Sequence, residues 1–155
     1  MVIPQRIGLA LASMLLVLLA CDHSPTEPLT GEISFQTVLK ASLPGTSPDR
    51  EGQETIRDRA TWQAAWTKLH AESPQALPEI DFGREMVILI LGPGCGGGTT
   101  ITSIVRERGE LVINAETSSC NFKICAIADF SLHAVRLPRS GAPVRFNVRR
   151  SEGLC

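Results

Sequence analysis

The chain has no tyrosine, no surplus of either charge and no basic run. Its 15 lysines and arginines face 16 aspartates and glutamates, for a formal net charge of −1 with histidine neutral. Arg149-Arg150 is the only adjacent pair of cations and reads as a solvated C-terminal face. Nucleic-acid binding, which needs a basic patch or stripe, is excluded on that ground. No internal repeat is present, and no apolar run reaches the roughly 20 residues of a membrane span. The cysteines form no C-x₂-C pair, and no Lys-Ser/Thr follows the glycine cluster at 92–98. These two absences speak against a zinc-knuckle protein and a P-loop nucleotidase.

What is present is globular: 43% apolar and 20% charged residues in 155, enough for one domain with a real core. The N-terminus carries the strongest single signal. Arg6 precedes an apolar stretch over residues 7–19, short for a span and right for a secretory leader. It ends in Leu18-Leu19-Ala20-Cys21, which resembles a bacterial lipoprotein lipobox with Cys21 as the acylated residue. Ordinary cleavage near Ala20 is the alternative. Several acyl chains, at about 0.8 kcal/mol per buried CH₂, make a durable anchor where one chain is marginal. The expected organisation is a signal peptide over 1–20, a proline-bearing tether over 21–30 that includes His23, and a domain over 31–155 in the bacterial cell envelope.

Within that domain, residues 32–40 alternate and read as a strand, with Ile33, Phe35, Thr37 and Leu39 on one side. Residues 44–53 read as a loop and 53–57 as a short strand. Asp58 is a candidate N-cap for a helix to about residue 71. Trp62, Ala65, Trp66 and Leu69 share one face of that helix and predict core packing against a sheet. Residues 86–91 form an apolar, branched run, read as a strand buried on both faces. The glycine-dense turn 92–98 then leads into a second β-branched run over 99–105, predicting a central hairpin of one antiparallel sheet. The many glycines of that turn predict positive φ at several positions. Strands are also expected over 111–117, 124–137 (with a bulge or bend near 129–131) and 144–148. The class is α+β, a mainly antiparallel β-sheet of six or seven strands, meander- or sandwich-like, with one packed helix.

Four cysteines remain besides Cys21, and the predicted order of strands brings Cys95, Cys120, Cys125 and Cys155 to one end. In an exported chain an even, clustered set predicts disulfides. Three pairings exist, of which Cys120–Cys125 with Cys95–Cys155 is favoured, and a Cys₄ zinc site is the sharper alternative. Gly92-Pro93-Gly94-Cys95-Gly96-Gly97 satisfies G-x-G-x-x-G, but a strand follows it where a dinucleotide site needs a helix. A Cys95–His133 nucleophile has no local support. His133 reads as a structural strand residue, and His70 as polar surface at the helix end. Glu79, Asp81 and Glu85 show no catalytic pairing. No enzyme signature, cofactor or metal is expected.

Trp62-x₃-Trp66, the segment Ile80-Asp81-Phe82-Gly83-Arg84-Glu85-Met86-Val87, and Leu91-Gly92 followed by Gly97-Gly98 resemble the PrcB C-terminal domain family. So do Leu132-His133-Ala134-Val135-Arg136-Leu137-Pro138 and the ending Val144-Arg145-Phe146. The resemblance spans about residues 55–148. Where the family's turn reads Thr-Gly-Gly-Tyr, this chain has Gly96-Gly97-Gly98-Thr99, and Phe130-Ser131-Leu132 stands where Pro-Tyr is expected. The resemblance implies an exported, often lipidated, non-catalytic subunit of a surface protease complex. On this basis the expected partner is an exported or membrane-associated protein, such as a protease. The alternatives are an inhibitor that wedges the 92–98 loop into a protease, and, ranked lower, a small exported hydrolase. Gly96, Gly97, Gly98, Thr99, Ser118, Ser119, Asn121 and Lys123 are the expected partner-binding residues, on loops held by a rigid scaffold.

Overall fold

A computed structural model of the chain describes residues 30–44, 51–71, 74–94, 97–120 and 129–153. Its elements are β1 (Gly31–Glu32), β2 (Gln36–Pro44), β3 (Gly52–Ile56), α1 (Arg59–Leu69), β4 (Glu85–Pro93), β5 (Gly98–Glu107), β6 (Glu110–Cys120), β7 (Asp129–Pro138) and β8 (Val144–Gly153). They form two four-stranded sheets, ordered β1-β5-β6-β8 and β2-β7-β4-β3. Every pairing is antiparallel except β6 with β8. The α+β class with one packed helix is as the pattern predicts, with eight strands in place of six or seven.

The meander is overturned. β4 and β5 do not pair with each other: β4 lies between β7 and β3, while β5 lies between β1 and β6. The glycine segment therefore carries the chain from one sheet to the other. The stretch read as one strand over 32–40 is divided in the same way. β1 joins the first sheet, residues 33–35 cross, and β2 joins the second with a bulge at Val38. Burial selects this arrangement. Met86, Ile88 and Ile90 pack between the sheets, whereas Val87 and Leu89 pack against the helix side. A strand apolar on both faces needs a cover on both, so the second sheet becomes the middle layer. Each such side chain contributes roughly 1.5–3 kcal/mol when fully buried.

α1 forms the third layer. Asp58 caps it, accepting from the Thr61 N–H and the Thr61 hydroxyl, each at 2.8 Å. These bonds hold its carboxyl below the usual aspartate range. Trp62 and Trp66 are buried against the second sheet, ring centroids 5.3 Å apart. Their indole N–H groups donate to the carbonyls of Pro78 and Gln75. His70 departs from its expected place on the surface. It is 5% exposed, its ring lies 4.1 Å from that of Trp66, and its Nδ1 donates to the Trp66 carbonyl at 3.1 Å. Stacking on a buried indole draws the ring inward.

The first sheet has a polar outer face. Asn147 donates to Asn114 Oδ1 at 2.9 Å, and Asn114 donates to Ser103 Oγ at 3.0 Å. A bulge at Thr102 keeps Ile101 and Ile104 both turned inward. The bulge expected near 129–131 is not there, and residues 124–128 lie outside the described residues.

Candidate functional site

The strand ends that were expected to gather do gather. Pro93 pairs with Phe130, Gly98 with Ser118, and Cys120 with Gly153, so β4, β5, β6, β7 and β8 all begin or end at one end of the sandwich. Four segments leave from it: residues 45–51, whose flanking strands end at Pro44 opposite Asp129 and begin at Gly52 opposite Leu91, residues 94–97, residues 121–128 and the tail after Gly153. Cys120 closes β6, and nothing of its side chain is described. Cys21, Cys95, Cys125 and Cys155 lie outside the described residues, as do Gly96, Asn121 and Lys123. The disulfide, zinc and lipidation expectations fall there too.

The floor of this end is built by close approach. A β-carbon on Gly92 would meet Thr99 Oγ1 at 2.5 Å and Thr117 Cγ2 at 2.9 Å, and one on Gly97 would fall onto the Ser118 carbonyl. Neither glycine has positive φ; among the described residues positive φ belongs to Arg108, Gly109 and Gly31. Packing, and not left-handed backbone, is thus why these two positions hold glycine. Backbone bonds complete the floor, from Gly94 N–H to the Asp129 carbonyl at 3.1 Å and from Gly98 N–H to Ser118 Oγ at 3.0 Å.

Beneath the floor, hydroxyls join the two sheets. Thr99 Oγ1 donates to Ser131 Oγ at 2.6 Å, and Ser131 Oγ donates to the Pro93 carbonyl at 2.9 Å. Thr99, expected as a binding residue, is 1% exposed. It is a tie between the sheets and offers no surface to a partner. Gly97, Gly98, Ser118 and Ser119 are half-buried, with part of each accessible.

His133 continues the same row deeper. Its Nδ1 accepts from the Ile101 N–H of the other sheet at 2.8 Å, which makes Nε2 the protonated nitrogen, donating to Thr37 Oγ1 at 2.9 Å. Burial, then the nearby charge of Lys40, pushes the ring's pKa below the ordinary histidine value. Both nitrogens are thereby committed to holding β7 to β5 and β2. Asp129, Ser131 and His133 stand two residues apart along β7. That polar spacing was the available signal for an inward polar row, and the apolar set Phe130 and Leu132 masked it.

No family model, curated protein or solved structure matches the chain. The opposite end of the sandwich holds a second cluster of charged groups. There Arg59, Glu79, Ile80, Asp81, Phe82, Glu85 and Arg136 line an open cleft of about 700 Å³. Glu79, Asp81 and Glu85, without a pairing pattern along the sequence, come together in the fold. Their bonds are local. Asp81 Oδ1 accepts from Gly83 N–H at 3.0 Å, and Glu85 Oε2 from Asp81 N–H at 3.4 Å. Arg136 is held by Gln36 Oε1, with Glu85 at 3.7 Å. The Asp81–Glu85 segment is a self-bonded turn feeding β4, which accounts for its residue types without a ligand.

Proposed function

We propose that the chain is a membrane-tethered, non-catalytic binding module of the bacterial envelope, acting as a subunit or stabiliser of an exported protease complex. The observation that carries this reading is the convergence of four segments on one end of a cross-braced sandwich. Loops ordered by a rigid scaffold lose less entropy on binding than free ones. The engaged ring of His133 supports the same reading, since neither of its nitrogens is free to serve as a base. Lipidation at Cys21 supplies the tether, and the resemblance to the PrcB C-terminal domain family supplies the class of partner.

Crosslinking in native membranes, followed by mass spectrometry, tests it. Substituting Ser119, Asn121 and Lys123 together is expected to abolish capture of the neighbouring protein while thermal unfolding stays unchanged. Ser118 is left alone because its hydroxyl holds Gly98. Cys21→Ser is expected to release the chain from the membrane fraction. Capture at wild-type level by the triple variant overturns the proposed face, and unchanged membrane partitioning of Cys21→Ser overturns the tether.

A further inference from the structure

The edges of the two sheets are unequally protected. β1 is two residues long and β3 five, and β2 is interrupted by its bulge at Val38. Short or bulged edges are the usual defence against addition of a further strand. β8 differs. It runs ten residues with an unbroken register from Val144 to Gly153, and among the described residues it pairs only with β6.

Its hydrogen-bonding parity follows from one bond. Leu111 N–H donates to the Pro143 carbonyl at 2.8 Å. In a parallel ladder this turns the backbone groups of residues 145, 147 and 149 toward β6. Those of Val144, Phe146, Val148 and Arg150 then face away from the sheet. The side chains of Val144, Phe146 and Val148 pack on the inter-sheet core, yet each stays half-exposed along the seam between β8 and β3. The seam is clasped at its two ends. Arg57 donates to the carbonyls of Ser140 and Ala142 at one, and Arg150 pairs with Glu51 at 3.1 Å at the other.

The geometry points to β8 as a docking edge for an extended segment of another protein in which acidic and apolar residues alternate. This rests on the binding-module reading and names the chemistry of the partner. Paired to the outward backbone groups, such a segment sets its apolar side chains beside Val144, Phe146 and Val148, over the seam. Its carboxylates lie on the outer face beside Arg145 and Arg149. β8 carries three arginines and one glutamate, Glu152; Arg149 forms no ion pair among the described residues, with Glu116 opposite it on β6, and this arginine gives the edge its preference for an acidic strand. A second copy of β8 brings the same surplus of arginine and is disfavoured. The pairs of Arg145 with Glu107 and Glu110, both at 3.4 Å, are solvent-exposed and yield readily.

The probe is a labelled, end-blocked peptide alternating glutamate and valine, with a lysine–valine peptide as its counterpart, titrated by fluorescence anisotropy against the full chain. The acidic peptide is expected to bind at least about tenfold more tightly than the basic one. Val148→Pro removes one outward N–H and leaves the β6 ladder intact, weakening binding by about tenfold. Should that variant fail to fold, Arg145→Glu with Arg149→Glu, both at exposed positions, keeps the test and is expected to reverse the charge preference. Equal affinity for the two peptides, or indifference to both variants, overturns the inference. Self-association that Val148→Pro abolishes also overturns it, by making a second copy the occupant. If neither peptide binds but membrane capture still depends on Ser119, Asn121 and Lys123, the docking edge falls and the binding-module reading stands.

Discussion

Where β4 gives way to β5, the chain crosses between the sheets through glycines, and the bonds joining the layers come from short groups: Thr99, Ser131 and the ring of His133. At the other end the layers are joined by long cations. Arg57 reaches the carbonyls of Ser140 and Ala142, Arg106 reaches Ser140 Oγ, and Arg139 reaches the carbonyls of Arg57 and Phe82. The segment 139–143 lies across that end as a cap, receiving donors from Arg57, Arg106 and Leu111 and donating from Arg139 to the carbonyls of Arg57, Phe82 and Arg84.

The difference is one of backbone separation. Where backbones touch, a single methyl group is too much, and a hydroxyl is long enough to bridge. Where they stand apart, only a guanidinium spans the gap, and its planar array of donors serves two carbonyls at once. The glycine end should therefore fail through added volume, and the arginine end through lost donors.

The largest expected effect tests the first half. Gly92→Val places a branched side chain against Thr99 and Thr117 in a strand that cannot shift, and should destabilise by about 3 kcal/mol, the upper part of the overpacking range. The check is a lower urea midpoint with an unchanged slope; an unaltered midpoint breaks the comparison. Next comes Arg57→Met, which keeps the stem and removes both bonds to the cap. A loss of about 2 kcal/mol is expected from charged donors at a half-buried site, and Arg57→Lys should not restore it, because the fork is gone. Recovery with lysine would mean that charge, and not the fork, holds the cap.

The smallest effect sharpens the comparison and is read as a slope with pH. The folded pKa of His133 lies below its ordinary 6.5, so the unfolded chain takes up the proton first. The contribution is complete above the unfolded value and is lost as pH falls through 6.5 toward the folded one. Urea midpoints between about pH 8 and about pH 5 should decline toward acid. His133→Gln should flatten part of that decline, and an identical slope in the variant removes the histidine from the account.

Local chemistry was legible in the sequence, and the partition into sheets was not. Asp58 as cap, the buried face of Trp62 and Trp66, and the doubly covered run 86–91 follow from side chains a few residues apart. So does the meeting of the strand ends, because up and down alternate whichever sheet a strand joins. That β4 and β5 part company depends on what covers each face of β4, which is supplied by α1 on one side and β6 on the other. Residues 92–98 are too many for a two-residue hairpin, and that length was the one local hint. The arginine cap was hidden for a similar reason, since Arg57, Arg106 and Arg139 come from three distant segments. His70 was misplaced because its burial is decided by the indole of Trp66, and the helix dipole gave no warning of it.

The parallel pairing of β6 with β8 has a consequence in time. β7 is the strand that joins β2 to β4, and β8 is the strand that completes the first sheet, so both sheets wait for residues 129–153. Among the described strands, a chain leaving a ribosome or a translocon N-terminus first can pair β3 with β4, β1 with β5 and β5 with β6 before those two strands arrive. Pairings between distant segments are the slow ones. Throughout that interval β6 shows an open ladder, and the apolar row of Leu111, Ile113 and Ala115 lacks Val144, Phe146 and Val148 beside it. β7 and β8, made after the other described strands, thus determine when the two sheets first close.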